Sequence, residues 1–293
     1  MKQDQASPSA DQTALAVICG AGSLPFALAE AAKARNRRVV LFALRGWADA
    51  KQVANYPHHW LWIGQFGRFM KLAAAEGCRE VTFIGSVARP SLLSMRPDFL
   101  ALRHLPQMIR MFRGGDDHLQ GVVARAFEQR GMRLVGPKDI APELLMPHGP
   151  LGSRTPNARD QVDIARGLAL LRATSPFDIG QAVVVADNQV LAVEGPEGTD
   201  RMLARIAELR ANGRIRSPSG SGVLVKAPKV GQDHRLDLPT IGPDTVANAA
   251  SASLAGIAVV AGSSIVAEPG RVATAASQAG IFVIGVPEDG SER

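Results

Sequence analysis

Residues 223–243, VLVKAPKVGQDHRLDLPTIGP, begin as a buried strand and turn within a few positions into a dense set of polar groups. Lys226, Lys229, Gln232, Asp233, His234, Arg235 and Asp237 all fall there, and Leu238-Pro239-Thr240-Ile241-Gly242-Pro243 closes the segment. Lysines neutralise phosphate charge, arginine forks onto phosphate oxygens, and aspartates hold a divalent cation or orient water. A segment carrying both signs suits metal-assisted hydrolysis of a pyrophosphate, where catalysis rests on positioning and charge neutralisation. The same side chains also suit a salt-bridged loop in which Lys226, Asp233, Arg235 and Asp237 satisfy one another. Both readings stay open.

A second set of acids lies in AVEGPEGTDRML, residues 192–203. Glu194 closes an apolar strand, and Gly198, Thr199 and Asp200 lead into a helix, where Asp200 is explained equally by the helix dipole. With Asp233 and Asp237, Glu194 supplies oxygen ligands of the kind Mg²⁺ takes. CGAGSLP, residues 19–25, sits where a Rossmann fold places its first strand-to-helix turn, with Gly20, Gly22 and Ser23 facing an anion at the helix start. Pro25 stands where the third glycine of a dinucleotide fingerprint belongs, and RVVLFALR ends without an acid for a ribose. A redox dinucleotide is therefore disfavoured. Tight turn and phosphate contact are equally supported.

Arg89, in GSVARP after a strand, is placed to grip a phosphate or carboxylate, whereas Arg96 reads as solvated. Asp116 and Asp117 read as helix N-caps. His234 reads as a loop histidine, and the six histidines form no zinc motif.

These residues need a scaffold, and the chain has 293 residues, enough for two domains. It is 46% hydrophobic and only 5% aromatic, which favours α/β architecture. Two cysteines, Cys19 and Cys78, fit a reducing cytosol. No apolar run reaches the roughly 18–20 residues of a membrane span. Residues 1–12 read as a disordered tail, not a signal peptide. The net charge of +6 suits anionic ligands or an anionic membrane surface, although for bulk charge alone a GC-rich genome that favours arginine is the preferred account, and no aromatic-interleaved stripe argues for nucleic acid.

Strands are expected at 14–20, 38–44, 59–64, 80–87 and 133–137, alternating with helices, which implies a parallel sheet. Residues 98–130 read as helical, with a break at RGGDD, and 141–160 as a linker or interdomain crossing. The second half mixes helices with strands, including a hairpin turning at Asp187-Asn188. The expected fold is a Rossmann-like parallel-sheet domain over 13–150 and a mixed α+β domain over 151–293.

GAGSLP, GSVARP, DDHL, LLMPHGPLG, DIGQAVVV, VLAVEGPEGTDRML, VKAPKVGQDHRLDLPTIGP and AG…SIVAE occur here in the order found in the LpxI family. The resemblance covers nearly the whole chain beyond its first residues, with Gln120 departing from the leucine expected after DDHL. It implies a cytoplasmic enzyme peripheral to the inner membrane and dependent on Mg²⁺, with Mn²⁺ as a substitute. Such an enzyme hydrolyses UDP-2,3-diacylglucosamine to UMP and 2,3-diacylglucosamine 1-phosphate in lipid A biosynthesis. It further implies a homodimer, a ligand between the domains, and contacts from Gln181, Gly198, Thr199, Lys226, Lys229, Gln232, Arg235 and Thr240. Asp233 and Asp237 are the expected metal ligands and essential carboxylates, with Glu194 and Asp200 next. The acyl chains require an apolar surface, expected from Leu92, Leu93, Met95 and Phe99.

Overall fold

The computed structural model describes residues 13–87, 96, 98 and 124–288. The expectations placed on 1–12, on Arg89, on Leu92, Leu93, Met95 and Phe99, on Asp116, Asp117 and Gln120, and on most of 98–130 lie outside the described residues. The chain divides into two compact units after Ala141.

In the first unit, β1 (Ala14–Cys19), β2 (Val39–Leu44), β3 (His58–Leu61), β4 (Cys78–Ile84) and β5 (Arg133–Leu134) form one sheet in the order β3-β2-β1-β4-β5. All four pairings are parallel. ALAVIC and VVLFAL are unbroken apolar runs because both faces of a parallel sheet are covered by helices. Helix α1 (Leu24–Ala34) buries Phe26, Leu28, Ala29 and Ala32. Between strands lie α2 (Ala50–Val53) and α3 (Phe66–Ala75), and α4 (Pro137–Ile140) follows β5. Strand order reverses between β1 and β4, the switch point at which open α/β sheets collect ligands. The Rossmann-like expectation for this half is met.

The second unit carries a six-stranded mixed sheet in the order β6-β13-β11-β9-β7-β8. Its strands are β6 (Gly149–Pro150), β7 (Ala182–Ala186), β8 (Gln189–Val193), β9 (Val223–Lys226), β11 (Gly256–Val260) and β13 (Phe282–Val286). Strands β9, β11 and β13 are parallel, while β6, β7 and β8 each run antiparallel to a neighbour. β10 (Thr240–Ile241) and β12 (Ile265–Val266) make a separate parallel pair. Alternation sorts the side chains by face. Val183, Val185, Val223 and Val225 pack with Ile164 and Leu168 of α5 (Ala158–Thr174). Val184 and Leu224 pack with Met202, Leu203 and Ile206 of α6 (Gly198–Ala211), and with Val246 of α7 (Pro243–Ser251) and Val272 of α8 (Pro269–Ala279). Lys226 shares the parity of Leu224 and so belongs to the α6–α7 side.

The predicted hairpin forms as expected. Asp187 and Asn188 take φ of 49° and 60°, the left-handed pair that a tight two-residue turn requires. Asp163 of α5 accepts a hydrogen bond from Asn188 N at 2.6 Å. Pairing shifts from Val184↔Ala192 to Val185↔Val190, so Leu191 is an extra residue, a β-bulge, in β8. The stretch read as a linker or interdomain crossing begins where the two units divide, and part of it joins the second unit's fold. Met146 is buried in its core, Met146 N donates to Ser264 O at 2.8 Å, and Gly149–Pro150 pair with β13.

Candidate active site

The hairpin brings its two open ends together: Gln181 just before β7 and Glu194 just after β8. Glu194 N donates to Ala182 O at 2.9 Å, and Gln181 N donates to Glu194 Oε2 at 2.8 Å. Glu194 Oε1 accepts from the Thr199 hydroxyl at 2.6 Å, in the first turn of α6. Thr199 Oγ1 in turn accepts from Lys226 Nζ at 3.1 Å, and Thr240 O takes a second Lys226 hydrogen bond at 3.0 Å. Strand β9 thus delivers an ammonium, only 7% exposed as a residue, beneath the start of α6. Burial pushes the Lys226 pKa below the usual lysine range, and the carboxylates of Glu194, Asp200 and Asp237 oppose that shift.

Asp237 is held differently. Its Oδ2 accepts from Gln181 Nε2 and from Gln232 Nε2, each at 2.7 Å. Gln232 Oε1 is fixed by Gln181 Nε2 at 3.2 Å and Lys229 N at 3.1 Å. With Oδ2 doubly occupied, Asp237 Oδ1 takes no hydrogen bond among the described residues. Asp233 is instead clamped by Arg235, whose Nε donates to Oδ1 at 2.9 Å and whose guanidinium reaches Oδ2 at 2.7 Å. Those bonds hold the Asp233 carboxyl below the usual carboxylate range. Lys229 pairs with Asp178 across the neighbouring loop. Asp200 Oδ1 accepts from Asn248 Nδ2 of α7 at 2.9 Å.

In this unit the anticipated residues Gln181, Glu194, Thr199, Asp200, Lys226, Lys229, Gln232, Asp237 and Thr240 share one connected site, with Gly198 at φ +81° opening α6. Asp233 and Arg235 border it as a self-satisfied pair, and His234 is exposed. Asp178 and Asn248 were not anticipated. The DIGQ string places Asp178 two residues from Gly180, whereas nothing local marks Asn248. Gly180 is a further one. A Cβ there would lie 2.6 Å from Glu194 O and 2.7 Å from Glu194 Cβ, so only glycine lets the chain pass. Gly180→Ala is expected to displace Glu194, costing about 1–3 kcal/mol of stability as overpacking does and reducing turnover. Chemical denaturation beside a turnover assay checks both.

In the first unit, Gly20 and Gly85 lie back to back at the switch point. A Cβ on Gly20 would sit 2.7 Å from Ser86 O, and one on Gly85 would sit 2.9 Å from Pro25 Cγ. Ala21 and Ser86 exchange hydrogen bonds of 2.8 and 2.9 Å across the same point. Close backbone approach accounts for both glycines. Gly22 has φ +96° with open space around it, and Ser23 caps α1, its carbonyl accepting from Ala27 N at 3.1 Å. Arg96, read as solvated, stacks on Trp62 with its guanidinium carbon 4.3 Å from the ring centre. Burial pushes the thiols of Cys19 and Cys78 up to about 12 and about 11, so neither is an ionised nucleophile at neutral pH.

Mg²⁺ needs only one or two carboxylates, completing its shell with water and phosphate oxygens. No three His, Cys, Asp or Glu side chains converge on a metal position among the described residues. The open oxygen of Asp237 fits the smaller requirement, whereas Asp233 fits it only on leaving Arg235.

The profile of the LpxI N-terminal domain matches residues 14–144, and that of the LpxI C-terminal domain matches 147–284. The chain is 42% identical over 272 residues to the UDP-2,3-diacylglucosamine pyrophosphatase LpxI of Caulobacter vibrioides, covering 93% of this chain and 97% of the relative. With both domain profiles matched in order and a full-length relative at that identity, this chain belongs to the LpxI family.

Proposed function

We propose that the protein hydrolyses the pyrophosphate of UDP-2,3-diacylglucosamine in the presence of Mg²⁺. Water attacks one phosphorus, the P–O–P bridge breaks, and the products are UMP and 2,3-diacylglucosamine 1-phosphate, an intermediate of lipid A biosynthesis. The observation that carries the reading is the convergence of Asp237, Gln181, Gln232, Glu194, Thr199 and Lys226 on one site. The pyrophosphatase name of a 42% identical relative directs that chemistry to this substrate.

In this reading Asp237 would hold Mg²⁺ through its open oxygen and Asp233 would be a second ligand, with Arg235 beside it to contact a phosphate oxygen. Bound Mg²⁺ would neutralise charge on the diphosphate and make a bound water more acidic. Lys226 fixes the Thr199 hydroxyl and places a positive charge beneath the first turn of α6, whose dipole also favours an anion. Arg235 and Lys229, on the same segment as Asp237, supply further cations for the diphosphate. The working form is a homodimer at the cytoplasmic face of the inner membrane, a location supported by a pI of about 9.8 and its attraction to anionic lipid. No helix is long and apolar enough to cross a membrane among the described residues.

Phosphorus NMR of the purified protein with UDP-2,3-diacylglucosamine and Mg²⁺ tests the reaction. UMP and 2,3-diacylglucosamine 1-phosphate are expected together, and EDTA is expected to stop both. Substrate that binds without turnover would make the protein a nucleotide-sugar or glycolipid carrier.

A further inference from the structure

We propose that Phe177, Ile179 and Val230 form an apolar ledge on which the acyl chains of the substrate lie. This rests on the pyrophosphatase reading above and assigns that site a surface for the lipid end of its substrate. Phe177 is 74% exposed, Val230 65% and Ile179 37%. Scattered apolar side chains on a surface need no explanation. Here three of the six large exposed ones among the described residues fall on two adjoining loops.

The loops are tied together on both sides of Phe177. Val230 N donates to Ser175 Oγ at 2.7 Å, and Lys229 pairs with Asp178. The two loops that carry the three side chains are therefore joined at Ser175 and at Asp178.

Position then selects the occupant. The same two loops run directly into Gln181 and Gln232, the amides that grip Asp237. Phe177 precedes Gln181 by four residues, so an extended chain places it no more than about 14 Å away. A molecule with a diphosphate at one end and acyl chains at the other would span this distance in one pose. Three side chains are also far short of the roughly 800 Å² per partner that a stable protein interface buries. The occupant is an acyl chain.

The test compares wild type with a Phe177→Ser/Val230→Ser double variant of the full chain, assayed with Mg²⁺ in detergent mixed micelles. For long-chain UDP-2,3-diacylglucosamine, kcat/KM is expected to fall about tenfold or more, the scale of losing one buried aromatic contact. The inhibition constant of a diacetyl analogue against that substrate should not change, nor should circular dichroism or Tm. Equal weakening of both ligands, or no fall with the long-chain substrate, would overturn the proposal. So would a variant that keeps its micellar kcat/KM but loses binding to phosphatidylglycerol vesicles, which would make the ledge a bilayer contact. Wild-type protein that hydrolyses no UDP-2,3-diacylglucosamine would instead bring down the pyrophosphatase reading, and this inference with it. A Val162→Ser control, at an exposed valine on α5, should leave kcat/KM unchanged.

Discussion

Asp237→Ala is expected to cut hydrolysis of UDP-2,3-diacylglucosamine by about 10²–10³-fold, the loss typical of removing one preorganised electrostatic group. Two glutamine amides from separate segments converge on a single oxygen of this carboxylate. Such convergence fixes the carboxylate and leaves its other oxygen for a ligand. Without Asp237 the two amides lose their common acceptor, but the half-buried position admits water to replace it. The fold should therefore survive, and circular dichroism should be unchanged. Asp233→Ala is expected to lower turnover too, since it removes the second proposed metal ligand. Near-normal turnover in both variants would overturn the carboxylate assignment.

Lys226→Met should be of similar size in activity, about 10²-fold or more by the same electrostatic argument, but its stability signature differs. The buried ammonium is the proton-binding group whose folded-state pKa is depressed by desolvation, against the pull of Glu194, Asp200 and Asp237. A lysine with a depressed folded pKa leaves the unfolded chain holding more protons between that value and about 10.4. Its destabilising effect is full below the folded pKa and fades as pH rises toward the unfolded value. Wild type should accordingly gain stability over Lys226→Met as pH is raised through this window, read from denaturant midpoints at several pH values. A constant difference would mean that Lys226 is not titrating there. At neutral pH the methionine removes a buried charge, a change that is often tolerated, although it strips Thr199 and Thr240 of a donor. Folded protein with little turnover is the expected outcome.

Much of the scaffold was readable because its cause is local. The strands at 14–19, 39–44, 182–186 and 256–260 are unbroken apolar runs, and Asp187-Asn188 is a turn by its own chemistry. The site was readable as a density of charge in 226–237 but not as a wiring diagram. The salt-bridged reading of that segment holds in part. Asp233 and Arg235 do satisfy each other, whereas Lys226 turns to Thr199 and Lys229 to Asp178. Partner choice over such separations is set by which strand ends meet, and no window of sequence contains that information. Lys226 shows the limit well. Its parity with Leu224 sends it to the α6–α7 side, which could be known only once that face had a helix on it. Thr240–Ile241 is too short for periodicity to betray a strand.

The bulge at Leu191 makes the hairpin a counted object. One residue more than the partner strand requires decides which face of the sheet Glu194 presents when the chain arrives at Gln181. Gln189 and Val190 are exposed and exchangeable on physical grounds, but the tally between Ala182 and Glu194 is not. Among relatives of this protein the hairpin should therefore drift in spelling while keeping its length.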